Sequence, residues 1–151
     1  MENESGSSRQ SGAGPVERGD SVAAAVSEVG DRWTFLVLRE AFYGVQRFTD
    51  MHANLGIARN ILSNRLSRLV DRGILTRQAD GTSQVPRYRL TAKGRDLYPV
   101  ALALMQWADR WVIDRNTTRP VHRECGAPVE VVVRCRGCGS ILAAHEASIE
   151  G

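Results

Sequence analysis

Cysteine is scarce and odd in number, with three in 151 residues. Such a count makes no disulfide framework, and in a reducing compartment it points to metal or free thiols. No apolar run approaches the ~20 residues that a membrane-spanning helix needs. The N-terminus lacks a basic-then-apolar leader pattern, so the expected location is cytoplasmic. Lysine is nearly absent, since nineteen of the twenty cations are Arg. Paired carboxylates, a Ser-His-Asp grouping and a Gly-rich phosphate loop are all missing, so the expectation is a protein that is not an enzyme. Aromatics make up only 6% of the chain, and the basic stretch offers only Tyr88 as a stacking platform. That argues against an RNA reader, which would stack unpaired bases on exposed rings.

What is present is ordinary globular material, 42% hydrophobic and 25% charged, enough for one domain with a small appendage. The net charge of +3 is unevenly placed. Residues 57–95 carry nine cations against two anions, whereas the rest carries eleven against fifteen. A basic segment in an otherwise acidic chain suggests a face for a polyanion. Arginine suits that role, because its planar fork matches phosphates and guanine edges.

Residues 1–19 are rich in Ser, Gly and Glu and read as a disordered arm. From Ser21 the pattern is helical. Val22, Ala25, Val26 and Val29 share one face of a short helix that ends at Gly30. Asp31 caps the next helix, Arg32 to Tyr43, which is apolar nearly all round and therefore central. Residues 48–55 form a short helix with Phe48, Met51 and Leu55 inward. Gly56 then supplies a tight turn into a helix from Ala58 to Asp71, with Ala58, Leu62, Leu66 and Leu69 as its inner stripe. Ile74–Gln78 and Tyr88–Leu90 read as a hairpin, with Asp80-Gly81 as a turn signal and Pro86 limiting the pairing. Thr91 caps a last long helix to about Arg115, kinked by Pro99 near Tyr98.

This order of elements is that of a winged helix-turn-helix, a mainly α fold with a small β wing, over residues 20–116. The second helix of the turn enters the major groove of double-stranded DNA. Arg59, Asn60, Ser63 and Asn64 are the candidates for base edges. Arg65 and Arg68 are candidates for phosphate, Ser67 is a further DNA-binding candidate on the same polar face, and Arg77, Arg87 and Arg89 belong to the wing. The last helix presents Leu97, Ala101, Leu104, Trp107, Ala108 and Trp111, more apolar surface than a small domain covers by itself. They are the expected homodimer interface. Met105, Trp107 and Trp111 are also candidates to line a small-molecule effector pocket, although core packing accounts for them equally well.

After Pro120 the pattern changes to His122-x2-Cys125-x9-Cys135-x2-Cys138. Two donor pairs, each separated by two residues and followed by Gly126 or Gly139, suit tetrahedral Zn2+ held by paired turns. Val129–Arg134 and Ser140–Ala143 are the expected strands of a small zinc-ribbon-like β module over 119–151. Four ligands leave no open position, so the zinc would be structural. Other readings stand beside this one: a Cys135–Cys138 disulfide with Cys125 free, or three free thiols. His145 competes with His122 as fourth ligand. The function read from these features is a sequence-specific regulator acting as a homodimer on a pseudo-palindromic operator. The alternative is a protein-interaction adaptor in which the ribbon carries the function and DNA affinity is incidental.

Several strings resemble the HxlR-type transcriptional regulators over about residues 20–115. They are Gly30-Asp31-Arg32-Trp33, Leu38-Arg39-Glu40, Arg47-Phe48, Leu62-x-x-x-Leu66 and Tyr88-Arg89-Leu90-Thr91-x-x-Gly94. The resemblance implies a homodimeric winged helix-turn-helix repressor or activator whose terminal helices build the dimer. It places the reading helix at Ala58–Asp71 and the wing at Ile74–Leu90. Many members carry a Cys, in some a sensor of electrophiles or oxidants, where this chain has Asp20, which forms neither a disulfide nor a thiol adduct.

Overall fold

The computed structural model describes residues 21–80, 83–114 and 119–148. The arm expected over 1–19, Asp20, Gly81 of the hairpin turn and Arg115 lie outside these residues. In chain order the elements are α1 (Ser21–Val29), α2 (Arg32–Phe42), α3 (Phe48–Leu55), α4 (Arg59–Asp71), β1 (Leu75–Asp80), β2 (Ser83–Leu90), α5 (Ala92–Arg95) and α6 (Tyr98–Trp111). A single 3-10 turn follows at Ala144–Glu146.

Helix α2 begins at Asp31, whose carboxylate accepts from the backbone N–H groups of Trp33 at 2.7 Å and Thr34 at 3.2 Å. A cap of this kind stabilises a helix by ~0.5–2 kcal/mol. Val37 and Leu38 on α2 are fully buried, and α2 touches α3, α4, α6 and β2. Met51, Leu62, Leu66, Leu69, Ile74 and Leu75 complete the core from those neighbours. Trp33, Phe35 and Phe42 pack against its rim, so the aromatics of α2 are packing residues. Ala58 does not join the stripe of α4 but stands exposed as its N-cap. On α1 only Val29 is buried, while Val22 and Val26 face solvent.

The hairpin is longer than the alternation of its residues predicts. β1 and β2 pair antiparallel from Leu75↔Leu90 to Asp80↔Ser83, with an irregularity between Ala79 and Asp80. Pro86 sits inside the pairing, opposite Ala79. Tyr88 has the same parity as Pro86 and donates its N–H away from β1, to the Gln46 carbonyl at 2.8 Å. The N–H that Pro86 lacks would therefore point away from β1, and the ladder loses no bond.

The single kinked helix expected from Thr91 to Arg115 is two helices. Thr91 does cap the first, accepting from Gly94 N at 3.1 Å. α5 stops after Arg95, and α6 restarts at Tyr98 with Pro99 in its first turn. Proline is suited to that position, because its fixed φ starts a helix and its absent N–H would have no partner there. Leu97 precedes α6 and packs on the core of its own chain. The strands expected at Val129–Arg134 and Ser140–Ala143 do not form either. Among the described residues, 119–148 hold only two isolated bridges, Val121↔Pro128 and Arg134↔Ile141. The segment buries no side chain deeply, so no packed face favours regular strands.

A close approach fixes α5. Thr91 donates its hydroxyl to Gly73 O at 2.6 Å and its backbone N–H to Ile74 O at 3.1 Å. A Cβ on Gly94 would lie 2.2 Å from the Ile74 carbonyl oxygen. Gly94→Ala is therefore expected to destabilise the fold by ~1–3 kcal/mol through forced backbone displacement. A chemical denaturation midpoint equal to that of the parent protein would contradict this.

Candidate nucleic-acid interface

The α3–α4 pair carries the site. α3 ends on Gly56, whose φ of 61° is the left-handed conformation and whose N–H donates to His52 O at 3.0 Å. Ile57 then buries itself in the core and fixes the angle of the turn. Leu62, Leu66 and Leu69 seat one side of α4 against the core. Arg59, Asn60, Ser63, Asn64, Ser67 and Arg68 lie exposed on the other. Ala58 offers no side-chain cap to α4. The first-turn N–H groups of that helix therefore remain for water or a phosphate oxygen.

The arginines do not share one fate. Arg65 Nε stands 2.7 Å from Asp31 Oδ2, and its Nη1 donates to Asn64 Oδ1 at 3.0 Å. This pair ties α4 to the N-terminus of α2, so Arg65 serves the scaffold before any phosphate. Arg59 lies over the Phe48 ring, 5.2 Å from its centroid. Arg68 makes no ion pair among the described residues and stays exposed.

On the wing, strand alternation separates the basic residues. Arg87 and Arg89 share the face of Thr76 and Gln78, whereas Arg77 lies on the face of Tyr88. Arg77 and Arg89 are exposed, and Arg87 is half-buried.

Sequence reasoning missed several contributors. Arg47 precedes α3 and forms a bridge with Arg87, so the start of the turn motif and the wing lie side by side. Glu40 is buried at 4% exposure, held by Arg39 at 2.8 Å and by Asn54 Nδ2 at 2.7 Å. It joins α2 to α3 and thereby orients the turn motif. Arg72 and Lys93 both reach the Glu28 carboxylate, at 3.7 and 3.9 Å, and Arg72 also bonds the Glu28 carbonyl. Neither role is visible in a sequence, where a cation that binds its own scaffold looks like any other.

The helix proposed for dimerisation leaves much of its apolar surface open. Trp107 is 60% and Trp111 66% exposed; Leu104 is exposed, and Ala101 and Ala108 are half-buried. Between α2 and α6 runs an open groove of about 260 Å³ lined by Phe35, Leu36, Phe42, Tyr98, Leu104 and Met105.

The four C-terminal donors come as two pairs. His122 Nδ1 is 3.2 Å from Cys125 Sγ. Cys138 bonds with Ser140 across 3.3 Å and also interacts with Cys135. Among the described residues no group of three or more His, Cys, Asp or Glu is gathered to hold a metal ion. Hydrogen bonding with the Ser140 side chain, then with its backbone, then with Cys135, lowers the Cys138 thiol from 9.0 to about 7.

Comparison with known proteins gives a consistent result. The family model described as HxlR-like helix-turn-helix matches residues 28–116. An HTH-type transcriptional regulator of Mycobacterium tuberculosis is 40% identical over 136 residues, spanning 87% of this chain and 85% of that protein. The crystal structure of PA1607, described as a candidate transcription factor, superposes with a TM-score of 0.82 at 36% identity, covering 89% of this chain and 96% of that one. A second such structure, from Pseudomonas aeruginosa, has a TM-score of 0.62 at 29% identity, covering 86% of this chain and 90% of that one.

Two predictions arise from these positions. Arg65→Ala should lower stability by ~1 kcal/mol, as a part-buried ion pair suggests, while Arg68→Ala stays within ~0.5 kcal/mol of the parent. Equal unfolding midpoints for the two variants would contradict the separate roles. In metal-free protein, alkylation of Cys138 should rise through about pH 7 as the thiolate forms. Ser140→Ala should move that midpoint upward, and an unchanged midpoint would remove the assigned cause.

Proposed function

The chain belongs to the HxlR-like helix-turn-helix family, and on that premise we propose that it is a transcriptional regulator that binds double-stranded DNA in a sequence-specific way as a homodimer. The observation that carries the reading is the outer face of α4. It sets Asn60, Ser63 and Asn64 beside Arg59 and Arg68, all exposed, on a helix whose other side is locked into the core. Asparagine can pair bidentately with adenine and arginine with guanine in the major groove. Arg68 and the α4 N-terminus take phosphates, and Arg87 and Arg89 on the wing take backbone or minor groove.

The homodimer is supported by unpartnered apolar surface at both ends of the domain. Val22 on α1 is 72% exposed, and Val26, Leu104, Trp107, Trp111 and Val112 are exposed with it. Leu104, Trp107 and Trp111 follow one another at helical spacing on α6, and a monomer seldom leaves such a ridge to water. A second copy would cover α1 and α6, and twofold symmetry would set two α4 helices on successive turns of the major groove.

Binding should divide by residue. Asn60→Ala should cost ~1–3 kcal/mol on a selected duplex and relax its sequence preference. Arg68→Ala should weaken selected and scrambled duplexes alike and reduce the salt slope by ~1. Equal loss on both duplexes for Asn60→Ala would move the reading face away from α4. In sedimentation, Leu104→Glu should convert the dimer to monomer, and an unchanged mass would relocate the interface.

A further inference from the structure

Residues 121–128 and 134–141 form the same turn twice. In the first, the bridge Val121↔Pro128 encloses His122 N donating to Ala127 O at 2.8 Å and Gly126 N donating to His122 O at 2.8 Å. In the second, the bridge Arg134↔Ile141 encloses Cys135 N donating to Ser140 O at 2.9 Å and Gly139 N donating to Cys135 O at 3.0 Å. Gly126 and Gly139 occupy the same place with φ of 70° and 77°. Each turn offers its metal-type donors at matching positions, His122 and Cys125 in one, Cys135 and Cys138 in the other. Repeated backbone geometry that presents paired soft donors is how a chain prepares a tetrahedral thiolate–imidazole site.

The segment has little else to hold it. No residue described over 119–148 is buried, and Val132, Val133 and Ile141 are exposed. Its link to the helical domain includes the Gln106 side chain on α6, which donates to Val129 O and accepts from Val131 N, each at 3.1 Å. Those two residues lie in the stretch that joins the turns. A module of this size without a core needs a metal or a disulfide for stability.

We infer that the two turns close on one Zn2+ per chain, held by His122, Cys125, Cys135 and Cys138, which staples the C-terminal module on either side of the stretch gripped by Gln106. Closure brings together the two donor pairs, which among the described residues do not form one group of three or more. The ligands bind as neutral imidazole and thiolates, and the displaced thiol protons pass to solvent. The site is independent of the DNA-binding reading, because it uses none of the residues of α4 or the wing.

The test is titration of the full-length, reduced, chelator-treated protein with Co2+ and then Zn2+. One Co2+ per chain is expected, with the intense visible bands of tetrahedral cobalt and thiolate charge transfer, both bleached by Zn2+. Cys125→Ser and Cys135→Ser, one from each turn, should each weaken Zn2+ binding beyond the ~10–100-fold that loss of an outer-shell partner costs. His122→Ala should do the same, and His145→Ala should leave binding unchanged. The helical circular dichroism signal checks that each variant keeps its DNA-binding domain. Metal uptake indifferent to Cys125→Ser, one metal per two chains, or the weak spectrum of six-coordinate cobalt would each overturn the single four-ligand site.

Discussion

Everything in the helical domain hangs on the burial of α2. Val37 and Leu38 have no exposure to water, and α3, α4, α6 and β2 are all placed by contact with this helix. Its first turn is doubly fixed, because Asp31 caps the backbone and also pairs with Arg65 on α4. Near its end, Glu40 binds Asn54 on α3. One helix therefore sets the positions of both helices of the turn motif, and α4 can offer a wholly polar face to a ligand at little structural cost. A recognition face needs that rigidity, since base edges reward placement within fractions of an ångström.

Much of this was legible in sequence because it follows from local rules. The Asp31 cap, the Leu62/Leu66/Leu69 stripe, the Gly56 turn and the Thr91 cap each rest on a few neighbouring residues. What was hidden depends on distant partners. Arg65 reads like a phosphate contact until Asp31 is seen beside it, and Arg72 and Lys93 look free until Glu28 is placed. The break before α6 falls outside what local pattern dictates, because a proline within an apolar periodic stretch reads as a kink inside one helix. Proline serves equally as a beginning, and here Pro99 stands in the first turn of α6. The C-terminal strands failed for the opposite reason: Val129–Arg134 is rich in β-branched valine, but among the described residues of 119–148 no side chain is buried against a second layer.

The same partners reshape the charge argument. The surplus of cations over residues 57–95 overstates the field that a polyanion would meet, because Arg65, Arg72 and Lys93 face carboxylates of the scaffold. The remaining exposed arginines lie on α4 (Arg59 and Arg68), on the two faces of the wing (Arg77 and Arg89) and on α5 (Arg95). That division suits a duplex, whose groove and flanking backbone lie a fixed distance apart, better than a flexible acidic partner. The uncovered apolar ridge of α6 would serve the proposed homodimer, in which an interface spaces a symmetric pair of reading helices.

The most direct measurement is selection of bound duplexes from a random library by the purified full-length protein at physiological salt. The account predicts recovery of an inverted repeat with half-sites about one helical turn, or a multiple of it, apart. It further predicts that Asn60→Ala loses preference at specific positions of that repeat. Salt-sensitive binding with no recovered motif would contradict sequence-specific reading by α4 and leave the basic face a non-specific one.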